Sequence, residues 1–304
     1  MNETPPPRLS IVINFHNMRR EAARTLHTLS TRYQRDVSGD DYEVIAVDNG
    51  STAPLDAVEV EAHGNNFRYL RVEQGPPSPC RAINRAVASA RGEFVLVCID
   101  GARMLSPGIL KYTLTGLALH SHPFVYTLGM HLGHKPQNEL LEEGYDQQVE
   151  DQLLRGVDWR SDGYRLFAIS SVAYSSRNGF FSRLSESNCF ALRRADYLAL
   201  GGLDERFTSP GGGLVNLDFF NRVHEQPHIR PVMLLGEATF HQFHGGVATN
   251  VRRSEHPWPR MAAEYERIRG KPFASDPPLP EYLGWLSPEY HAGLAWLDGP
   301  PSAS

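Results

Sequence analysis

The chain has 304 residues, 41% of them hydrophobic and 21% charged, long enough to bury a full core without disulfide staples. Its 30 basic and 35 acidic residues leave a formal charge of −5 and a pI near 6.2, which excludes the basic footprint expected of a nucleic-acid-binding protein. The three cysteines form no Cys-x-x-Cys pair, an odd count suits no disulfide framework, and Cys98 and Cys189 lie in apolar runs that read as core. Residues 1–8 are polar and proline-rich, unlike a secretory signal, and read as a flexible segment. No apolar run approaches the roughly 20 residues needed to cross a bilayer, so a soluble, cytoplasmic protein is expected, with docking at a membrane surface left open.

Strand and helix patterns alternate through the first third. Residues 9–15 are apolar and rich in β-branched side chains, a buried strand. Ala22, Leu26, Leu29 and Tyr33 share one helical face, which predicts a helix over 20–35. A strand over 42–47 runs into the turn cluster Asp48-Asn49-Gly50-Ser51. A short helix over 55–62, a strand over 67–72, a proline-rich break, a helix over 80–90 and a strand over 93–99 follow. The alternation implies a parallel sheet with helices on both faces, and ligands bind such sheets at the carboxyl ends of the strands. Asn14, His16, Asp48 and Asp100 stand at those ends. There is no Gly-x-Gly-x-x-Gly after the first strand and no Walker-type loop, which disfavours a dinucleotide or P-loop site.

The remaining elements are less regular. Ser106-Pro107 predicts a capped helix to about residue 120, followed by a strand over 124–128. Residues 136–155 read as helix and loop, 190–192 as a strand, and 196–200 as a short helix. A helix over 214–223, a strand over 232–235, a late helix over 259–269 and a proline-rich tail complete the chain.

Four segments carry a family likeness in order: Ser-Ile-Val-Ile-Asn-Phe-His-Asn at 10–17, Glu-Val-Ile-Ala-Val-Asp-Asn-Gly-Ser-Thr at 43–52, Asn84 through Gly92-Glu93-Phe94 to Asp100, and Gly-Gly-Leu-Asp-Glu-Arg-Phe at 201–207 followed by Asp218 and Arg222. Together they resemble the family-2-like, inverting glycosyltransferases of the GT-A fold, over roughly residues 9–245. The resemblance implies an α/β fold with a Rossmann-related, mostly parallel sheet flanked by helices and a C-terminal acceptor-side region. It implies a nucleotide-binding half at about 9–105 and an acceptor half at about 106–250, with a C-terminal helix and tail over 251–304. By position, Asp48 would accept from the base or ribose, Asn14 and His16 would line the base pocket, and Arg81 would face the base or phosphates.

Two departures from that pattern matter for chemistry. Where the family usually has Asp-x-Asp to hold a divalent cation, this chain has Asp100-Gly101-Ala102, so one carboxylate is missing. A Mn2+ or Mg2+ ion keeps several waters and can be held by Asp100 with phosphate oxygens. The resemblance adds a late histidine, for which His241 and His244 are candidates. Arg103 is a further candidate for gripping the diphosphate, against the alternative of a solvent-facing loop arginine. The second departure concerns the base. The family's Glu-Asp pair falls on Val215 and Asn216, and an amide cannot take a proton from an acceptor hydroxyl. Asp218 is the first choice for the base and Glu186 the second, the competing role of Asp218 being an ion pair with Arg222 one turn on. Asp204 reads as a turn residue.

The function expected from this likeness is transfer of a sugar from a nucleoside diphosphate sugar, by default a UDP-sugar, to an acceptor hydroxyl with inversion. The acceptor is a glycan, a lipid-linked molecule or a small molecule. Trp258, Trp285 and Trp296 are candidates for an acceptor groove or for anchoring the tail. The alternative is a catalytically impaired sugar-nucleotide-binding protein on the same fold.

Overall fold

The computed structural model describes residues 5–286. In chain order the strands and helices are β1 (Leu9–Phe15), α1 (Arg19–Leu29), β2 (Tyr42–Asn49), α2 (Ala57–Glu61), β3 (Phe67–Val72), α3 (Cys80–Ala88), β4 (Phe94–Cys98), β5 (Arg103–Leu105) and α4 (Ile109–Leu117). Then come β6 (Pro123–Leu132), α5 (Gln137–Leu140), α6 (Gln147–Arg155), β7 (Ser170–Val172), β8 (Cys189–Arg193), α7 (Arg194–Ala199), α8 (Val215–His224), β9 (Arg230–His241), α9 (Trp258–Arg269) and β10 (Glu281–Gly284). Trp296 and most of the proline-rich tail lie outside the described residues.

The ten strands make one sheet with the path β10-β9-β6-β8-β4-β1-β2-β3, with β5 paired to β9 and β7 to β6. Strands β1 to β4 are mutually parallel, as the alternation predicts, while β8 runs antiparallel between β4 and β6. The sheet is therefore mixed in its second half. Every residue of β1 and β2 is buried, which is why these strands read as continuous apolar runs rather than alternating ones. Ile11, Ile13 and Phe15 point into the layer of α1 and α4, while Val12, Ile45 and Val47 point into the layer of α3 and α8.

Several element bounds differ from the sequence reading. Helix α1 stops at Leu29, where Ser30 turns extended and its hydroxyl donates to the His27 carbonyl; Tyr33 is still buried, but from the following turn. Ser106 does not cap α4 with its hydroxyl, which donates to the Glu237 carboxylate instead. Strand β9 is far longer than 232–235, because Gly236, at φ 75°, lets it bulge and continue. A Cβ at Gly236 would lie 2.1 Å from the Trp285 carbonyl oxygen, so only glycine fits there. The far half of β9 then pairs with β5, with Arg103 opposite His241. That pairing brings the end of β4 beside the late histidines. Among the described residues, no helix is long and apolar enough to cross a membrane.

Candidate active site

A cavity of about 970 Å³ opens at the carboxyl ends of the central strands. Asn14, His16, Asn49, Asp100, Arg103 and Glu186 all line it. The β4 end is fixed by Gly101, where a Cβ would come within 2.6 Å of the Asn14 carbonyl oxygen and press into the Phe15 ring. This close approach seats Asp100 against β1.

Three side chains converge on one point. His241 Nε2 is 3.0 Å from Asp100 Oδ2 and 3.2 Å from His244 Nε2, and His244 Nε2 is 3.7 Å from Asp100 Oδ1. On the other edge of the His241 ring, Nδ1 lies 2.8 Å from Gln137 Oε1. The Gln137 amide nitrogen donates to the His241 carbonyl, and Asn250 donates to Oε1, so Oε1 is the acceptor and His241 Nδ1 carries the proton. Nε2 therefore presents its lone pair to Asp100 and His244. Three acceptor atoms at this spacing, sharing at most one proton, form the donor set a divalent cation would satisfy. Burial, outweighing the pull of Asp100, lowers His241 to about 4, so the imidazole is neutral at physiological pH. For Asp100 burial acts upward, but His244, His241 and Arg103 together hold the carboxyl well below its usual range.

Ala102, at the place of the missing carboxylate, is fully buried in the layer under α1 and faces away from the cavity. The third side chain of the cluster, His244, comes instead from the loop after β9. Arg103 is not a loop arginine facing solvent: it is 4% exposed in β5 and reaches the cavity. Its Nε has no hydrogen-bond partner, and the Asp100 carboxylate stands 3.7 Å away.

The nucleotide-side expectations divide. Asn14 lines the cavity with its buried Oδ1 unpartnered, and so does Asn49, whose Nδ2 is held by the Pro76 and Ser78 carbonyls. Both atoms are buried acceptors left without a donor from the chain. His16 is exposed at the rim, its Nδ1 2.8 Å from the Asn49 carbonyl oxygen. Asp48, expected to read the base, is instead fully buried. One oxygen accepts from the Ser51 amide and the other from the Leu55 amide, so the carboxylate organises the loop after β2 and does not line the cavity. Arg81 is exposed on α3 and also stands outside the lining.

Residues 10–107 match the family described as Glycosyl transferase family 2. Over that segment the chain is similar to the family-2-like glycosyltransferases. It is 30% identical over 244 residues to a protein named validoxylamine A glucosyltransferase from Streptomyces hygroscopicus subsp. limoneus, covering 73% of this chain and 49% of that one. The protein of the same name from subsp. jinggangensis (strain 5008) is 30% identical over 244 residues, covering 53% of its length. The chain thus spans about half the length of the curated relatives it matches. Among solved structures, S. aureus TarS 1-349 in complex with UDP superposes with a TM-score of 0.52 at 16% identity, covering 77% of this chain and 60% of that one. This likeness shows the GT-A-like fold.

Of the two carboxylates expected for the base, only one lines the cavity. Asp218, the first choice for the base, is 1% exposed and outside the cavity lining. It is held by Arg222 Nε at 2.9 Å and by Arg269 at 2.5 and 2.7 Å. Arg269 also pairs with Asp204, whose other partner is Arg206, so the pair of aspartates ties α8, α9 and the Gly201-Gly202 turn together. Both oxygens of Asp218 are thus engaged by arginines. Glu186 does line the cavity, and Asn216 Nδ2 donates to its Oε2 at 2.6 Å. Trp258 also lines it, whereas Trp285 is outside the lining and 66% exposed.

Proposed function

We propose that the protein transfers a sugar from a nucleoside diphosphate sugar to an acceptor hydroxyl, with inversion at the anomeric carbon. The observation that carries this reading is the convergence of Asp100, His241 and His244 at the wall of a cavity that Asp100, His244 and Glu186 line, with His241 buried behind. Support for a UDP-sugar comes from TarS, whose solved structures hold UDP and UDP-GlcNAc, and support for a hexose comes from the glucosyltransferase relatives.

Asp100, His241 and His244 would hold a divalent cation, with two imidazoles favouring Mn2+ over Mg2+. Bound there, such a cation would supply charge neutralisation to the diphosphate leaving group. Asn14 accepts from an N–H group of the base. Arg103 presents a guanidinium toward the same phosphates, one residue past the place of the family's second carboxylate. Glu186 takes the proton of the acceptor hydroxyl as the hydroxyl oxygen bonds to the anomeric carbon. The bond to the diphosphate breaks on the opposite face, and the nucleoside diphosphate leaves with the electron pair. Asn216, where the family pattern has the base itself, orients Glu186. The catalytically impaired alternative rests on Ala102 and Asn216, and His244 and Glu186 at the cavity count against it.

The test is hydrolysis and binding of UDP-, dTDP- and GDP-sugars by the purified protein, each with Mn2+ and with chelator. Slow, metal-dependent hydrolysis of one donor is expected. Absence of binding to every donor would overturn the reading.

A further inference from the structure

A second cluster of metal-ligating side chains lies at the opposite edge of the sheet. Strands β6 and β9 are parallel, so the residues that precede them meet at one edge while His241 stands at the other. His122 directly precedes β6, His228 precedes β9, and Asp196 lies in the first turn of α7. A strand the length of β6 separates the two clusters, roughly 30 Å.

We propose that His122, Asp196 and His228 form a second, separate site for a transition metal of the Zn2+ class. His122 Nδ1 stands 3.1 and 3.0 Å from the two oxygens of Asp196. The His228 ring meets the His122 ring at 86°, with centroids 4.8 Å apart, and one ligand atom from each of the three residues falls within 4.8 Å of the others. Tetrahedral zinc, with bonds of about 2.0–2.1 Å to nitrogen and oxygen, sets its ligands about 3.4 Å apart. The His122–Asp196 separation is close to that spacing, and the His228 ligand atom, within 4.8 Å of both, would have to move inward to complete it. On binding, His122 would coordinate through Nδ1 as the neutral imidazole, its one proton moving to Nε2. Water fills the fourth position, since the site is open.

The backbone holds this geometry. The Arg230 amide donates to the His122 carbonyl at 2.8 Å, fixing the start of β9 to the start of β6. The Arg193 guanidinium donates to the Ser121 carbonyl, bringing α7 to the same point. The Ile229 amide closes a turn onto Gln226, which presents His228. A His–Asp surface pair needs only two of these residues, and the third imidazole, drawn from a different element, is what makes a ligand set. Two imidazoles and one carboxylate suit Zn2+, Co2+ or Ni2+ rather than Mg2+ or Ca2+. A metal there clamps the starts of two sheet strands and α7, so its effect is on stability rather than on sugar transfer.

The test is equilibrium dialysis of the full chain against Zn2+, with the bound metal counted, for wild type, His228→Ala, His244→Ala and the double variant. Two equivalents are expected for wild type, one for each single variant and none for the double. Zn2+ at about a hundredfold above its Kd should raise the Tm of His244→Ala by roughly 5 °C, and the double variant should show no shift. His228→Ala should keep wild-type transfer activity. If His228→Ala binds as much Zn2+ as wild type, the second site does not exist. If His228→Ala loses its equivalent while His244→Ala loses none, the second site stands and the cavity metal falls.

Discussion

Asn216 donates a 2.6 Å hydrogen bond to Glu186 across 30 residues of chain. The amide at the usual position of the base therefore contacts a carboxylate delivered from the loop before β8. Replacing Glu186 with Gln keeps the shape and removes the proton acceptor. Turnover should fall by about 10²–10⁴, with donor affinity within a factor of about two of wild type. Steady-state kinetics beside nucleotide binding separate the two quantities, and unchanged turnover would remove Glu186 from the chemistry.

Asn216→Asp puts a second carboxylate against Glu186. Two carboxylates at that distance cannot both ionise freely. The acidic limb of the pH–rate profile should move to higher pH, which a profile of kcat between pH 5 and 9 measures. An unshifted limb would mean that the two side chains do not share the reaction.

Asp218→Ala leaves Arg222 and Arg269 without the carboxylate that holds both. Loss of one partner of a buried ion pair costs about 3–5 kcal/mol. Denaturant unfolding should show that loss, while turnover per folded molecule stays near wild type. The opposite pattern, intact stability with lost turnover, would restore Asp218 as the base.

Gln137→Leu removes the acceptor at His241 Nδ1 without touching a candidate ligand. The ring is then free to turn, or to carry its proton on Nε2. Metal affinity should weaken about 10–100-fold, read as a rise in the Mn2+ concentration needed for half-maximal donor hydrolysis.

Glu237 accepts from Ser106, Gly108 and Tyr164, yet burial outweighs these donors and raises it to about 7. A carboxyl raised in the folded state gives stability that is present below its unfolded value of about 4.5 and lost as pH rises toward 7. Relative to Glu237→Gln, the wild type should lose on the order of 3 kcal/mol across that window. Urea unfolding at pH 4.5, 6 and 8 checks the sign. A wild type that gains on the variant as pH rises would contradict it.

The first four strands were legible because each is a contiguous apolar run, and parallel strands buried on both faces must be written that way. Their carboxyl ends gave Asn14, His16 and Asp100, since the chain's own direction decides which residues stand there. Strand β5 was not legible: Arg103–Leu105 is three residues long, and its identity as a strand depends on pairing with β9. The length of β9 was hidden for a related reason, since Gly236 looks like a terminator until the Trp285 backbone against it is known.

The sequence by itself determined the family likeness, the nucleotide-side strand ends and the two candidate histidines, because these are local patterns with fixed spacing. It also determined that Ala102 and Asn216 lack the expected carboxyls. Tertiary structure alone decided what replaces them. Buried carboxylates take their roles from their partners, and Asp48 and Asp218 are engaged by backbone amides and by two arginines, while Glu186 and Asp100 face the cavity. Gln137 reaches His241 across 104 residues, a contact no local pattern encodes, because only the packing of α5 against the end of β9 brings them together.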